Sequence, residues 1–373
     1  MKQWLLRISA STAVLAGALL ASVYIYLQHP KFGELPSGDR LNRIKASPHY
    51  ANGRFQNLVP TPILVGDSSL VALLLSDFRT PAERLTPDAA VPSVKTNLNE
   101  LDSNKDVLVW LGHSSYFVQL GGVRVLVDPV LSLSAAPIPF VNDAFEGTSI
   151  YTVEDMPHVD YLLITHDHWD HLDHPTVTAL QHKVGIAVVG LGVGAHLERW
   201  GYAPQKIREA DWFSTLNFDG RIAIHVLPAR HYSGRLLTRG KTLWSAYALE
   251  TPSRRVFFSG DTGFSPHFAD IGRRFGGFDL VALDSGQYNP RWPLIHMTPD
   301  EVVRAAEALN AKALLPGHVG KFRLARHPWD EPLERVAALS EGKSYRLVTP
   351  MIGAPVMLGD DQQHFSRWWQ AAR

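Results

Sequence analysis

Tyr161-Leu162-Leu163-Ile164-Thr165-His166-Asp167-His168-Trp169-Asp170-His171-Leu172-Asp173 gathers three imidazoles and several carboxylates directly after an apolar run. In an extended segment residues two apart point the same way, so His166 and His168 can grip one ion from one direction. Where the chain turns, Asp170 and His171 can face a second ion nearby. With 17 histidines in 373 residues, the pattern of His166, His168, Asp170 and His171 arises by chance at a rate on the order of 10⁻³ per chain. A solvated loop with scattered histidines is therefore the weaker account.

Three later segments offer further ligand-type residues in the same setting. Pro228-Ala229-Arg230-His231 follows the run Ile222 to Leu227, Ser259-Gly260-Asp261-Thr262-Gly263 follows Arg255 to Phe258, and Pro316-Gly317-His318 follows Ala313 to Leu315. Any one alone reads as a turn; the recurrence at strand ends is what counts. Glycines beside Asp261 and His318 allow the tight backbone that aims a side chain into a shared cleft. His225, His267 and His327 lack that setting and read as ordinary surface or core histidines. Two divalent ions roughly 3.5–4 Å apart can share a water, lower its pKa and hold it as hydroxide beside a polarised phosphoryl or carbonyl oxygen. Asp170 could also steer or accept the proton of that water, a role ranked below ligation. His113 and Asp128 could orient the ligating imidazoles through hydrogen bonds. Holding their own hairpin is an equal account of both.

The elements that must position these residues are strands. Val107 to Leu111 and Tyr116 to Leu120 are apolar runs, and Gly121-Gly122 predicts a hairpin turn into Val123 to Val127. Further strands are expected over Tyr161 to Ile164, Ile186 to Val189, Ile222 to Leu227, Arg255 to Phe258, Leu280 to Leu283 and Ala313 to Leu315. Thr298-Pro299-Asp300-Glu301 predicts a capping box and a helix to about Leu309. Strands alternating with helices over some 250 residues argue for sheets covered by helices in one catalytic domain.

Lys and Arg equal Asp and Glu at 36 each, so no global positive field favours nucleic acid, and cysteine is absent. Any metal must then sit on histidine and carboxylate. Lys2 and Arg7 precede an uncharged, mostly apolar stretch from Ile8 to Leu27, about the length of a membrane-crossing helix. A cleaved signal peptide competes, because Ala16-Gly17-Ala18 resembles a cleavage site, but cutting there leaves much of the run behind. An uncleaved single-pass anchor is favoured. The early charges favour a cytoplasmic N-terminus, with the catalytic domain on the extracytoplasmic or periplasmic side; Lys31, Arg40, Arg43 and Lys45 pull toward the cytoplasmic face. The expected layout is an anchor or signal over 1–30, a linker and extension packing on the domain over 31–105, the catalytic domain over 106–355 and a tail over 356–373. In that tail Phe365-Ser366-Arg367-Trp368-Trp369 either dips into a membrane interface or packs on the domain.

The motif His166-Asp167-His168-Trp169-Asp170-His171, followed by His231, Asp261 and His318 in that order, resembles the metallo-β-lactamase superfamily. Trp110-Leu111-Gly112-His113-Ser114, Leu126-Val127-Asp128-Pro129, Phe257 to Gly263, Arg273-Arg274-Phe275-Gly276 and Tyr288-Asn289-Pro290-Arg291-Trp292 narrow the resemblance to its N-acylphosphatidylethanolamine-hydrolysing phospholipase D branch. It covers roughly Trp110 to His318. The resemblance implies an α/β (α+β) fold of αββα sandwich type with metals at one edge, and two Zn²⁺ per chain, although other divalent transition metals suit the same ligands. It implies that His166, His168 and His231 bind one ion, that Asp170, His171 and His318 bind the other, and that Asp261 bridges them. His296 matches a family active-site histidine near the substrate phosphate; from its own surroundings it reads as a helix-flanking polar residue. Leu283-Asp284-Ser285-Gly286-Gln287 departs from the branch, which is apolar and glycine-containing there, and Pro316 to Gly320 replaces an aromatic-flanked histidine. An iron oxidoreductase is disfavoured because His168 stands where such enzymes carry a carboxylate.

The implied activity is a phosphodiesterase of phospholipase D type on N-acyl phosphatidylethanolamine-like lipids. An apolar groove open to the bilayer would suit it, with Leu131 to Phe145, Leu236 and Leu237 as candidates. A lactonase or other ester hydrolase acting on a small polar substrate is the alternative, since the same centre attacks carbonyls. A membrane-tethered metal-binding scaffold is the non-enzymatic alternative, and the intact ligand set argues against it.

Overall fold

The apolar runs form strands buried on both faces. The structure, a computed structural model, describes residues 2–66, 83–138, 140–235 and 238–373, the first twelve of these by backbone alone; Leu236 and Leu237 lie outside the described residues. A short hairpin of β1 (Tyr50–Ala51) and β2 (Arg54–Phe55) precedes the main strands. These are β3 (Val107–Trp110), β4 (Tyr116–Leu120), β5 (Val123–Val127), β6 (Val159–Ile164), β7 (Val184–Gly190), β8 (Ile207–Ala210), β9 (Thr215–Phe218) and β10 (Ile222–Leu227). They continue with β11 (Ala246–Glu250), β12 (Arg255–Phe258), β13 (Leu280–Asp284), β14 (Ala313–Gly317), β15 (Arg346–Leu347) and β16 (Pro355–Met357). One seven-stranded sheet runs β16-β3-β4-β5-β6-β7-β8 and the other β15-β14-β13-β12-β11-β10-β9. The Gly121-Gly122 hairpin forms as expected, with both glycines at positive φ.

Among the described residues the α-helices are α1 (Lys2–Leu27), α2 (Gly38–Ala46), α3 (His174–Leu180), α4 (Gly194–Arg199), α5 (His267–Phe275), α6 (Pro299–Ala308) and α7 (Glu331–Leu339). The α6 capping box closes between Thr298 and Glu301 as the sequence predicts. In β6, Tyr161 and Leu163 enter the core between the sheets, while Leu162 and Ile164 join the cluster that includes Val177 of α3 and Leu197 of α4. In β12, Val256 and Phe258 face the other sheet, and Phe257 packs with Phe268 of α5 and Val302 of α6. Two sheets, each with helices on its outer face, make the αββα sandwich. Burial on both faces is why the strands read as continuous apolar runs and not as alternating ones.

The termini depart from expectation or decide it. Among the described residues no helix is long and apolar enough to cross a membrane, so the transmembrane span expected over Ile8 to Leu27 finds no support. The side chains of α1 are described from Val14 to Leu27. Those side chains are nonetheless exposed, with Leu15 at 69%, Leu20 at 70% and Ile25 at 69%. Residues after α1 pack on the domain: Arg40 pairs with Glu198 and Glu209, and Ile44 is buried in the core between the sheets. At the other end Trp369 is fully buried and its Nε1 donates to Glu334 Oε2 at 2.8 Å, so the tryptophan pair packs on the domain.

Candidate metal centre

Loops leaving the C-terminal ends of β6, β10, β12 and β14 bring the predicted ligands together. His166, His168, His231 and Asp261 offer donor atoms that all lie within 4.8 Å of one another, and so do His113, Asp170, His171 and His318. Asp261 stands between the groups. Its Oδ2 lies 3.8 Å from His166 Nε2 and 3.7 Å from His231 Nε2, while its Oδ1 lies 2.9 Å from His171 Nε2 and 3.0 Å from His318 Nδ1. One carboxylate oxygen thus faces each group, the geometry a bridge requires. His225, His267 and His327 join neither group among the described residues.

Several of these candidate ligands are held by further hydrogen bonds. His171 Nδ1 donates to Asp128 Oδ2 at 2.7 Å, and Asp128 also accepts from Thr165 N and Thr165 Oγ1. Thr165 Oγ1 in turn lies 3.1 Å from His166 Nδ1. Asp128 therefore touches His171 directly and reaches His166 through Thr165. His231 Nδ1 donates to the Ile295 carbonyl at 3.0 Å, and His318 Nδ1 lies 3.1 Å from Ser114 Oγ. His113 Nε2 donates to Asp170 Oδ2 at 2.8 Å, which places it closer to the donors than sequence alone suggested. Gly260 has φ +57, and a Cβ at Gly317 would sit 2.0 Å from Tyr116 Oη, so both glycines are required by the backbone geometry. His113, Asp128 and His318 themselves adopt left-handed backbone, at φ 53, 42 and 59.

Sequence reasoning missed Asn57 and Ser114. Asn57 Oδ1 accepts from His231 N and its Nδ2 donates to His231 O, so the N-terminal extension fixes a ligand 174 positions away. No local pattern signals that contact.

The donor set fits divalent metal. His171 Nε2, Asp261 Oδ1 and His318 Nε2 are buried and make no hydrogen bond among the described residues, although the first two lie 2.9 Å apart. Burial and the neighbouring imidazoles hold His166 and His231 well below the usual histidine range, and burial brings His168 down to about 4. Neutral imidazoles and carboxylates are the forms that bind metal. Nitrogen and oxygen donors without thiolate suit zinc and neighbouring transition metals.

The centre floors a cleft of about 660 Å³ whose wall includes Ile63, Leu64, Ala135, Trp169 and Ile295. His296 also lines it, with its ring 5.1 Å from that of His231 and 5.2 Å from that of His318. Arg235 is buried there, with its guanidinium 4.0 Å from the Trp169 ring and hydrogen-bonded to the Asp167, Leu172 and Lys31 carbonyls.

The beta-lactamase superfamily domain matches residues 123–319, which spans the ligands from His166 to His318. The chain belongs to the metallo-β-lactamase superfamily. Within that superfamily, an uncharacterized protein of Mycobacterium tuberculosis is 36% identical over 98% of this chain and 95% of its own. N-acyl-phosphatidylethanolamine-hydrolyzing phospholipase D 1 of Caenorhabditis elegans is 30% identical over 80% of this chain and 89% of its own. That similarity supports the phospholipase D branch of the superfamily. The diiron β-hydroxylase CmlA of Streptomyces venezuelae shares the fold, with TM-score 0.51 and 21% identity over 68% of this chain and 54% of that one. The superfamily centre described here makes the protein a metal-dependent hydrolase.

Proposed function

We propose that the protein is a dinuclear zinc phosphodiesterase of phospholipase D type acting on N-acyl phosphatidylethanolamine-like lipids at a membrane surface. The observation that carries this reading is the cleft's apolar rim and its tie to α1. Leu133, Ile138, Phe140 and Val141 are exposed in the loop beside the cleft, and the Pro137 carbonyl accepts from Lys31 Nζ at 2.8 Å and from Tyr26 Oη of α1. Apolar helix and apolar rim thus stand together, where a lipid could pass from a bilayer to the metals. His166, His168 and His231 would hold one zinc, Asp170, His171 and His318 the other, and Asp261 both. Held there, the ions would activate a water and supply charge stabilisation at phosphorus. Oxygen adds to phosphorus, the bond to the headgroup alcohol breaks, and His296 delivers a proton to the departing oxygen. We place α1 in the membrane and the catalytic domain on its extracytoplasmic side.

The test uses protein lacking residues 1–28, which should leave the membrane fraction and keep its zinc. Turnover of N-acyl phosphatidylethanolamine in detergent micelles to phosphatidic acid and N-acylethanolamine is expected. Hydrolysis of lactones with no turnover of phosphodiesters would overturn the reading in favour of an ester hydrolase. Full-length protein that is soluble without detergent, its N-terminus intact, would remove the membrane part.

A further inference from the structure

Asp284 closes β13 at the point where the chain departs from the apolar pattern of its branch. Its carboxylate is buried: Oδ2 accepts from Thr262 N at 3.0 Å and from His296 Nδ1 at 2.9 Å. The other oxygen, Oδ1, is buried without a hydrogen-bond partner among the described residues. Enclosing a carboxylate with one unmatched oxygen is costly, and an apolar residue would fill the same space at no such cost. The neighbouring side chain that benefits is His296. A carboxylate can only accept, so Nδ1 of His296 must carry its proton toward Asp284 and Nε2 is the nitrogen left to the cleft. His296 lines the cleft and Asp284 does not. The capping box at Thr298 fixes the chain just beyond, and the His318 ring stacks against His296 at an interplanar angle of 12°. Backbone, stacking and carboxylate together leave the imidazole one orientation.

We infer that Asp284 is a positioning residue that fixes the tautomer and rotation of His296, so that Nε2 faces the substrate's leaving oxygen. The inference rests on the reading of His296 as the acid–base group. Asp284 touches neither substrate nor either donor group; it acts through the ring, as an orienting carboxylate does behind a catalytic histidine.

Asp284→Asn, His296→Ala and the double variant test this on zinc-loaded protein with N-acyl phosphatidylethanolamine micelles. His296→Ala is expected to lower kcat by roughly 10²–10⁴-fold with zinc retained. Asp284→Asn should lower kcat by at least about tenfold with KM and zinc content unchanged, and the double variant should be no slower than His296→Ala alone, since coupled residues do not add. An equal further loss in the His296→Ala background would show that Asp284 acts elsewhere, through Thr262 or the fold, and would overturn the inference. Normal kcat in Asp284→Asn beside a slow His296→Ala would overturn the inference alone. Normal kcat in His296→Ala would overturn the role of His296 itself. Should Asp284→Asn fail to fold, nitrogen-15 spectra of the unaltered protein decide: protonated Nδ1 on His296 supports the pairing, and a neutral ring protonated only at Nε2 refutes it.

Discussion

The two donor groups are built from the same residue types and backed very differently. Of the first group His168 and His231 line the cleft and His166 does not; His168 is half-buried, and the bond that aims the His231 ring comes from a single carbonyl, that of Ile295. In the second group Asp170 and His318 line the same cleft, yet each member has a side chain behind it: Asp128 behind His171, His113 against Asp170 and Ser114 against His318. Side chains that cannot turn lose less freedom when a metal arrives, so the second group, the inner one, is better preorganised to hold an ion than the first, the outer one. A count of ligands in the sequence makes the two groups equal; their outer hydrogen bonds make them unequal.

Removing the shared carboxylate should have the largest effect. Asp261→Ala is expected to strip metal from both groups and to lower turnover by more than the roughly 10–100-fold typical of a lost outer partner. Near-normal turnover with two ions by elemental analysis would show that this carboxylate is no bridge. Asp128→Ala tests the contrast from one side: it should weaken the inner ion by roughly 10–100-fold while the outer group, which Asp128 reaches only through Thr165, changes less. Competition against a metal-sensitive dye reads both affinities, and equal loss from both would erase the distinction. Stepwise removal with a chelator should release one equivalent before the other. Anomalous diffraction from partly depleted crystals should find the outer position emptied first; the reverse order would invert the comparison.

Acid should have a milder and graded effect. In the metal-free chain burial raises Asp261 to about 6, against an ordinary carboxylate value near 3.8, while His166 and His231 are held low. Protonated Asp261 cannot bind metal, and His171, held well above the usual histidine range by the Asp261, Asp170 and Asp128 carboxylates despite its burial, must lose its proton as well, so affinity already declines above pH 6.5 and falls further as pH drops through about 6. Calorimetric zinc titrations should therefore show affinity falling in two stages, with His171 at the higher pH and Asp261 near 6. Full affinity kept down to the His168 value of about 4 would remove both groups from the site.

The candidate ligands were legible in the sequence because they follow the ends of apolar runs, where strand period and metal spacing coincide. His166 to His171 and the later His231, Asp261 and His318 all lie where that pattern put them. What was not legible came from distant parts of the chain. Asn57 meets His231 and Ser114 meets His318 across 174 and 204 positions, and nothing in the segments around them marks the pairing. The strand Ala246–Glu250 escaped because alanine has weak strand preference and its burial depends on both neighbours in the sheet. The apolar run at the N-terminus was readable and forms the exposed helix α1, but among the described residues no helix is long and apolar enough to cross a membrane.

The left-handed backbone at His113, Asp128 and His318 gives this loop cluster two opposite thermal responses. A non-glycine residue held there costs on the order of 1–3 kcal/mol. His318→Gly removes that cost and a buried nitrogen without a partner, against roughly 0.5–1 kcal/mol of added chain entropy. The metal-free protein should therefore melt higher with the substitution. The loaded protein should melt lower, because metal binding stabilises the folded state only as long as the ligand is there to hold the ion. Variants selected for heat resistance in the presence of chelator would accordingly drift toward glycine at this position and shed the metal centre, while the same selection with zinc present would keep the histidine.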